Sequence, residues 1–283
     1  MKYTDIHSHL NFAAYDADRE EVIKRAEDAG VAVITVGTQI DTSRKAVELA
    51  HRYKGMYAAI GLHPIHTSKS YHDEQELGEG GKEFTSRGEE ADLDAYRSLA
   101  SDPKTVAIGE CGLDYYRLDE DSRTKQVRTF EQMIDLANEA GKPLMLHIRN
   151  GASNNSSPTG QSAYRDAYEI LKSRAIVKGN LHFFAGSIEE AKLFLDLGYS
   201  FSFTGVITFA RNYDEVIRYI PIDRIMSETD CPFVTPAPYR GKRNEPAYVV
   251  EVVKAIAKIK GGDEGEVASR LINNAKLFFN INL

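Results

Sequence analysis

Near the start of the chain, "DIHSHL" (residues 5–10) places two histidines, His7 and His9, with one residue between them. On an extended strand, residues two apart share a face, so both imidazoles can meet at one point, and that point suits a divalent metal ion. The same residue types recur where other short apolar runs end. Glu110 closes "TVAIGE", His147 sits in "PLMLHI", His182 lies in "NLHFFA" and Asp230 closes "RIMSETD". Imidazole with carboxylate suits Mg²⁺, Mn²⁺ or Zn²⁺, and a carboxylate such as Glu110 can bridge two such ions. A two-ion centre lowers the pKa of a water and clamps the attacking and leaving oxygens of a phosphodiester, and Asp230 is placed to take that water's proton.

A single buried histidine is more often a hydrogen-bonded core residue than a ligand. Six suitable residues at the ends of five expected strands are not explained that way, and the set carries the reading. Around it, His63 in "GLHPIH" could hold a substrate phosphate or protonate a leaving group; the plainer role is a turn cap before Pro64. Arg149, Arg240, Lys242 and Arg243 bring donors that match phosphate oxygens, although "GKR" on an exposed turn can equally be a solvated loop. Tyr115, Tyr116, Phe209 and Tyr239 could stack on bases or simply pack. Cys111 and Cys231 adjoin ligand candidates, but strand alternation turns each away from its neighbour.

The elements that must position these residues are legible as a rhythm. Eight apolar runs (2–7, 31–37, 56–62, 105–110, 143–148, 180–185, 199–205 and 224–230) alternate with amphipathic segments, the pattern of βα units. "DREEVIKRAEDAG" ends at a glycine, and "RTKQVRTFEQMIDLANEAGKP" spaces apolar residues helically before Gly141 and Pro143. Eight such units make a (β/α)8 TIM barrel, an α/β fold, here expected as one domain over residues 1–283. The polar stretches 66–90 and 150–162 both follow strands and would overhang the C-terminal mouth.

Composition narrows the partners. A net charge of −7 and a sequence pI near 5.7 exclude a surface coated in basic charge, so any polyanion must be met locally. No apolar stretch approaches the roughly 20 residues that cross a bilayer, so no membrane partner is expected. Two cysteines and no leading apolar segment point to a reducing cytoplasm, and no obligate protein partner is implied.

Taken in order, "DIHSHL", "IGLHP", "AIGECGLDYYR", "LHIR", "HFFAG", "SETDCPFVTPAPYRGKRNEP" and "NNAKLFF" resemble the TatD family of metal-dependent deoxyribonucleases, from end to end. The resemblance implies a barrel with two divalent ions, DNA as substrate and 3′-to-5′ exonuclease activity. It also implies His7, His9, Glu110, His147, His182 and Asp230 as ligands, with His63 and the Arg240–Arg243 segment at substrate phosphates. Glu228 in "ETD" matches a family position whose role is less clear. Three features depart from the family pattern: "HFFAG" for the commoner His-Cys-Phe-Ser-Gly, Cys231 where a small residue is usual, and a long acidic 66–90 stretch that could weaken binding of long DNA. Two other readings stay open. One is an ester or amide hydrolase on the same scaffold, such as a D-aminoacyl-tRNA deacylase; the other is a non-catalytic barrel with a structural metal.

Overall fold

The computed structural model describes residues 1–69, 71–72, 84–116, 120–151 and 162–283, so the middle of each loop expected over residues 66–90 and 150–162 falls outside it. Eight parallel strands form one sheet in chain order: β1 (Tyr3–Ser8), β2 (Val31–Val36), β3 (Met56–Ile60), β4 (Thr105–Asp114), β5 (Leu144–Arg149), β6 (Gly179–Leu181), β7 (Ser200–Phe203) and β8 (Ile225–Ser227). His9 N donates to Cys231 O and Asp230 N to His7 O, both at 2.9 Å, which joins the end of β8 to β1 and closes the ring. The helices are α1 (Arg19–Asp28), α2 (Ile40–Arg52), α3 (Leu93–Ala100), α4 (Glu120–Ala140), α5 (Ala163–Arg174), α6 (Ile188–Asp196), α7 (Asp214–Tyr219), α8 (Val249–Lys260) and α9 (Glu264–Phe279). The architecture is the (β/α)8 barrel expected from the apolar rhythm.

Strand composition follows burial. "VAVITV" of β2 is apolar or β-branched at every position because helices cover one face and the barrel interior the other. Two apolar layers result. One lies between strands and helices; the other holds Ile6, Ile34, Ala59, Met145 and Met226 inside the barrel, with Phe279 and Ile281 packed beneath them. Phe278 and Leu283 pack against this layer, so the C-terminal segment covers the floor at the strands' N-terminal ends.

Two bulges decide what reaches the mouth. Between Asp5 and Ser8, β1 advances three residues against two of β2, and between Ile108 and Cys111, β4 does the same against β5. An extra residue reverses side-chain alternation beyond it. Ile6 belongs to the interior layer, so plain alternation would turn His7 towards the helices; the bulge turns it inward as well. Ala107 is likewise interior and Ile108 exterior, and the second bulge brings Glu110 to the inside.

The sequence reading ended the fourth strand at Glu110, but it runs on to Asp114. Gly109 and Gly112 hold φ of +147° and +144°, and a Cβ there would lie 2.2 Å from Met145 O and 2.0 Å from His147 O. Glycine, which reads as a strand end, is here the residue that lets β4 continue against β5. The eighth strand is shorter than expected: it stops at Ser227, and Asp230 lies beyond it at φ +55°.

Candidate metal centre

Four ligand atoms meet at the mouth between β1, β4 and the end of β8. His7 Nε2 lies 3.3 Å from His9 Nε2, 3.3 Å from Glu110 Oε2 and 3.8 Å from Asp230 Oδ1; His9 Nε2 lies 3.4 Å from Asp230 Oδ1 and 3.8 Å from Glu110 Oε2. A tetrahedral site with bonds of about 2.1 Å has edges of about 3.4 Å, so this set fits a divalent cation as it stands. A second set surrounds the other oxygen of the same carboxylate. Glu110 Oε1 lies 3.0 Å from His147 Nδ1, 3.2 Å from His63 Nε2 and 3.3 Å from His182 Nε2. Glu110, with a side chain only 4% exposed, thus faces both sets. All six residues proposed from sequence as ligands fall within three groups that could hold a metal ion: His7, His9 and Asp230; His7, His182 and Glu228; and His63, Glu110 and His147.

What lies behind each ring separates ligands from donors. His182 Nδ1 lies 3.2 Å from Glu228 Oε1 as an ion pair without hydrogen-bond geometry, whereas His9 Nδ1 is hydrogen-bonded to Val36 O at 2.9 Å and His147 Nε2 to Asp114 Oδ2 at 2.8 Å. An acceptor behind the ring takes its proton and leaves the inner nitrogen with a lone pair towards the mouth. His63 is the opposite case. Its Nδ1 accepts from Ile65 N at 3.2 Å, so the neutral ring carries its proton on Nε2, and that atom donates.

The outer acceptors are themselves held. Asp114 Oδ1 accepts from Tyr116 N at 2.9 Å, while Gln126 bonds both the backbone N and O of Asp114. Glu228 accepts from Phe183 N at 2.6 Å and Ser202 Oγ at 2.7 Å. Asp5, fully buried, accepts from Thr229 N at 2.9 Å and Thr229 Oγ1 at 2.5 Å, fixing the residue before Asp230. Neither Asp114 nor Asp5 was singled out from the sequence. Asp114 carries a readable signal, since it stands four residues after Glu110 on the same strand face; Asp5 carries none, because Thr229 is distant in the chain.

Protonation follows from this crowding. Burial opposes charge on Glu110, yet the imidazoles of His63, His7 and His182 hold its carboxyl well below the usual range. Asp114 is likewise buried, but His147 brings its pKa down to about 2. Burial, with the His182 ring adding to it, lowers His7, and burial lowers His63 to about 4. Burial works against charge on His147 and His182, but facing carboxylates raise both. At neutral pH Glu110 and Asp114 are therefore ionised and His7 and His63 uncharged, and binding a cation requires the inner nitrogens of His147 and His182 to be free of protons.

The periphery divides. The Arg149 guanidinium lies 3.9 Å from the centre of the Tyr116 ring and that of Arg240 4.2 Å from Phe209, which is 43% exposed. Lys242 stands exposed over Tyr239, whose ring is stacked on Tyr248. Arg243, expected at a substrate phosphate, donates to Asp18 Oδ2 and Ala14 O, both at 2.6 Å, and lies over Tyr15, partners far away in sequence. Tyr115 packs, buried with its hydroxyl on Asp166. Cys111 and Cys231 are fully buried, and burial pushes both thiols up, away from nucleophilic use.

The "TatD related DNase" family matches residues 4–280. The chain is 38% identical to the uncharacterized metal-dependent hydrolase YabD of Bacillus subtilis, covering 98% of this chain and 99% of that protein. It is 32% identical to a protein of Erwinia tasmaniensis named 3′-5′ ssDNA/RNA exonuclease TatD, over 98% and 99% of the two chains. The solved structure of the Escherichia coli TatD homologue YJJV superposes with a TM-score of 0.80 at 25% identity over 99% of both chains. The mouth geometry and these likenesses agree, and the chain belongs to the TatD family as a metal-dependent hydrolase.

Proposed function

We propose that the protein hydrolyses phosphodiester bonds with two divalent cations, Mg²⁺, Mn²⁺ or Zn²⁺, and removes nucleotides from the 3′ end of DNA. The observation that carries this reading is the division of Glu110: one oxygen faces His7, His9 and Asp230, the other His147 and His182. When bound, the cations would supply Lewis acidity on both sides of the phosphorus and a water of lowered pKa.

The chain's own groups do the rest. Asp230, whose carboxyl stays ionised because His9, His182 and His7 outweigh its burial, accepts the proton of the attacking water. His63 donates its Nε2 proton in a hydrogen bond to a phosphate oxygen of the substrate. Arg149, Arg240 and Lys242 meet flanking phosphates, and exposed Phe209 offers a face to a base. The name of the Erwinia tasmaniensis relative supports the choice of nucleic acid and of the 3′ end.

The test is cleavage of 3′-labelled and 5′-labelled single-stranded DNA with each metal, with EDTA and Asp230→Ala as controls. A ladder shortening from the 3′ end, lost in both controls, is expected. No cleavage of DNA or RNA with any metal, by protein that still binds metal, overturns the reading, and D-aminoacyl-tRNA would then be the next substrate to try.

A further inference from the structure

The acidic stretch after β3 was expected to disfavour long DNA, yet its described arms help to build a basic groove. The groove, of about 360 Å³, is lined by Lys69, Arg87, Lys125 and Arg128. Glu89 N donates to His66 O at 2.7 Å, and Gly88, at φ +70°, lies so close to Lys69 that a Cβ would meet its backbone N at 3.0 Å. This brings Arg87 beside Lys69. The facing wall is α4, where Lys125 and Arg128 stand one turn apart.

Lys69, Lys125 and Arg128 make no ion pair among the described residues, and Arg87 pairs only with exposed Asp41 at 3.2 Å. Ser68 Oγ, also in the lining, is shielded and has no hydrogen-bond partner. The lining also holds two carboxylates, Glu90 and Glu89, the latter hydrogen-bonded to Ile40 N and Gln39 Nε2, against four cations of which Arg87 is paired with Asp41. In a chain of net charge −7, three cations without an ion pair among the described residues, gathered beside a fourth, mark a place for an anion.

The groove borders the turn that follows His63. Lys69 follows His63 by six residues through the Pro64–His66 turn, and α4 packs against that turn. On the same turns of α4, Gln126 grips Asp114 on the mouth side while Lys125 and Arg128 line the groove. A helix width of about 10 Å therefore separates the two. We propose that this groove binds the phosphodiester backbone of a single-stranded polynucleotide away from the bond that is cut. The proposal rests on the nucleolytic reading above and adds a substrate-length preference to it.

The test compares the metal-loaded parent with K69E/K125E/R128E and the milder K69Q/K125Q/R128Q, both checked for unchanged thermal unfolding. Substrates are a single-stranded DNA 12-mer and a dinucleotide. For the 12-mer, the charge-reversed variant should raise KM at least about 10-fold at unchanged kcat and flatten the salt dependence by about two units of log–log slope. The neutral variant should fall between, and dinucleotide cleavage should not change. An unchanged KM and salt slope on the 12-mer overturns the proposal. Should the parent cleave no nucleic acid, anisotropy of a fluorescein-labelled 12-mer decides separately: binding that charge reversal abolishes upholds the groove as a polynucleotide site, and absent or unaltered binding refutes it.

Discussion

β1 and β4 carry His7 and Glu110 within the strand, each on an extra residue that turns the side chain inward, whereas β6 and β8 stop after three residues and leave His182 and Asp230 to the chain beyond. The residue after His182, Phe183, has φ +44°, and Asp230 has φ +55°, a conformation costing about 1–2 kcal/mol for a residue with a Cβ. In the first half, ladder hydrogen bonds and glycine packing fix the ligands. In the second half, side-chain carboxylates do so: Glu228 ties His182, Phe183 N and Ser202 together, and Asp5 ties Thr229. The two halves should therefore fail under different substitutions.

The largest effect should come from the residue common to both sets. Glu110→Gln should lower kcat by roughly 10³-fold or more and reduce bound metal measured by elemental analysis; retention of both would show that the two halves do not share this carboxylate. Next is backbone packing in the bulged half. Gly112→Ala should lower the free energy of unfolding in urea by about 3 kcal/mol, against about 1 kcal/mol for Gly241→Ala, whose φ is +82° with open space around it. Equal losses at the two glycines would remove the distinction drawn for β4.

A smaller effect belongs to the loop-borne half. Glu228→Gln should weaken metal binding about 10–100-fold in competition with a chelator while leaving the folded barrel's circular dichroism unchanged. The smallest concerns Asp114 and acid. Its folded pKa of about 2 lies below the ordinary value of 3.8, so its contribution is fully present above about pH 4 and is lost as pH falls towards 2. Metal-free parent should lose about 1–2 kcal/mol more than Asp114→Asn between pH 5 and pH 2.5 in urea titrations, and identical slopes would contradict this.

Much of the barrel was open to reading because its strands are short apolar runs and its ligands are chemically distinctive. His7, His9, Glu110, His147, His182 and Asp230 could be found by type and position alone. How they are aimed could not. The inward turn of His7 and Glu110 depends on register against β2 and β5, which one strand's sequence does not contain. Gly112 reads as a stop and so hid Asp114. Arg243 reads as a free cation because Asp18 lies far away in the chain. Glu228 stood out, but its task depends on His182 and Ser202, from other strands.

The apolar floor built by Phe279 and Ile281 beneath Ile6, Met145 and Met226 stoppers the barrel's axis, so nothing can cross the molecule from end to end. Reactants therefore arrive and products leave on the same face of the barrel.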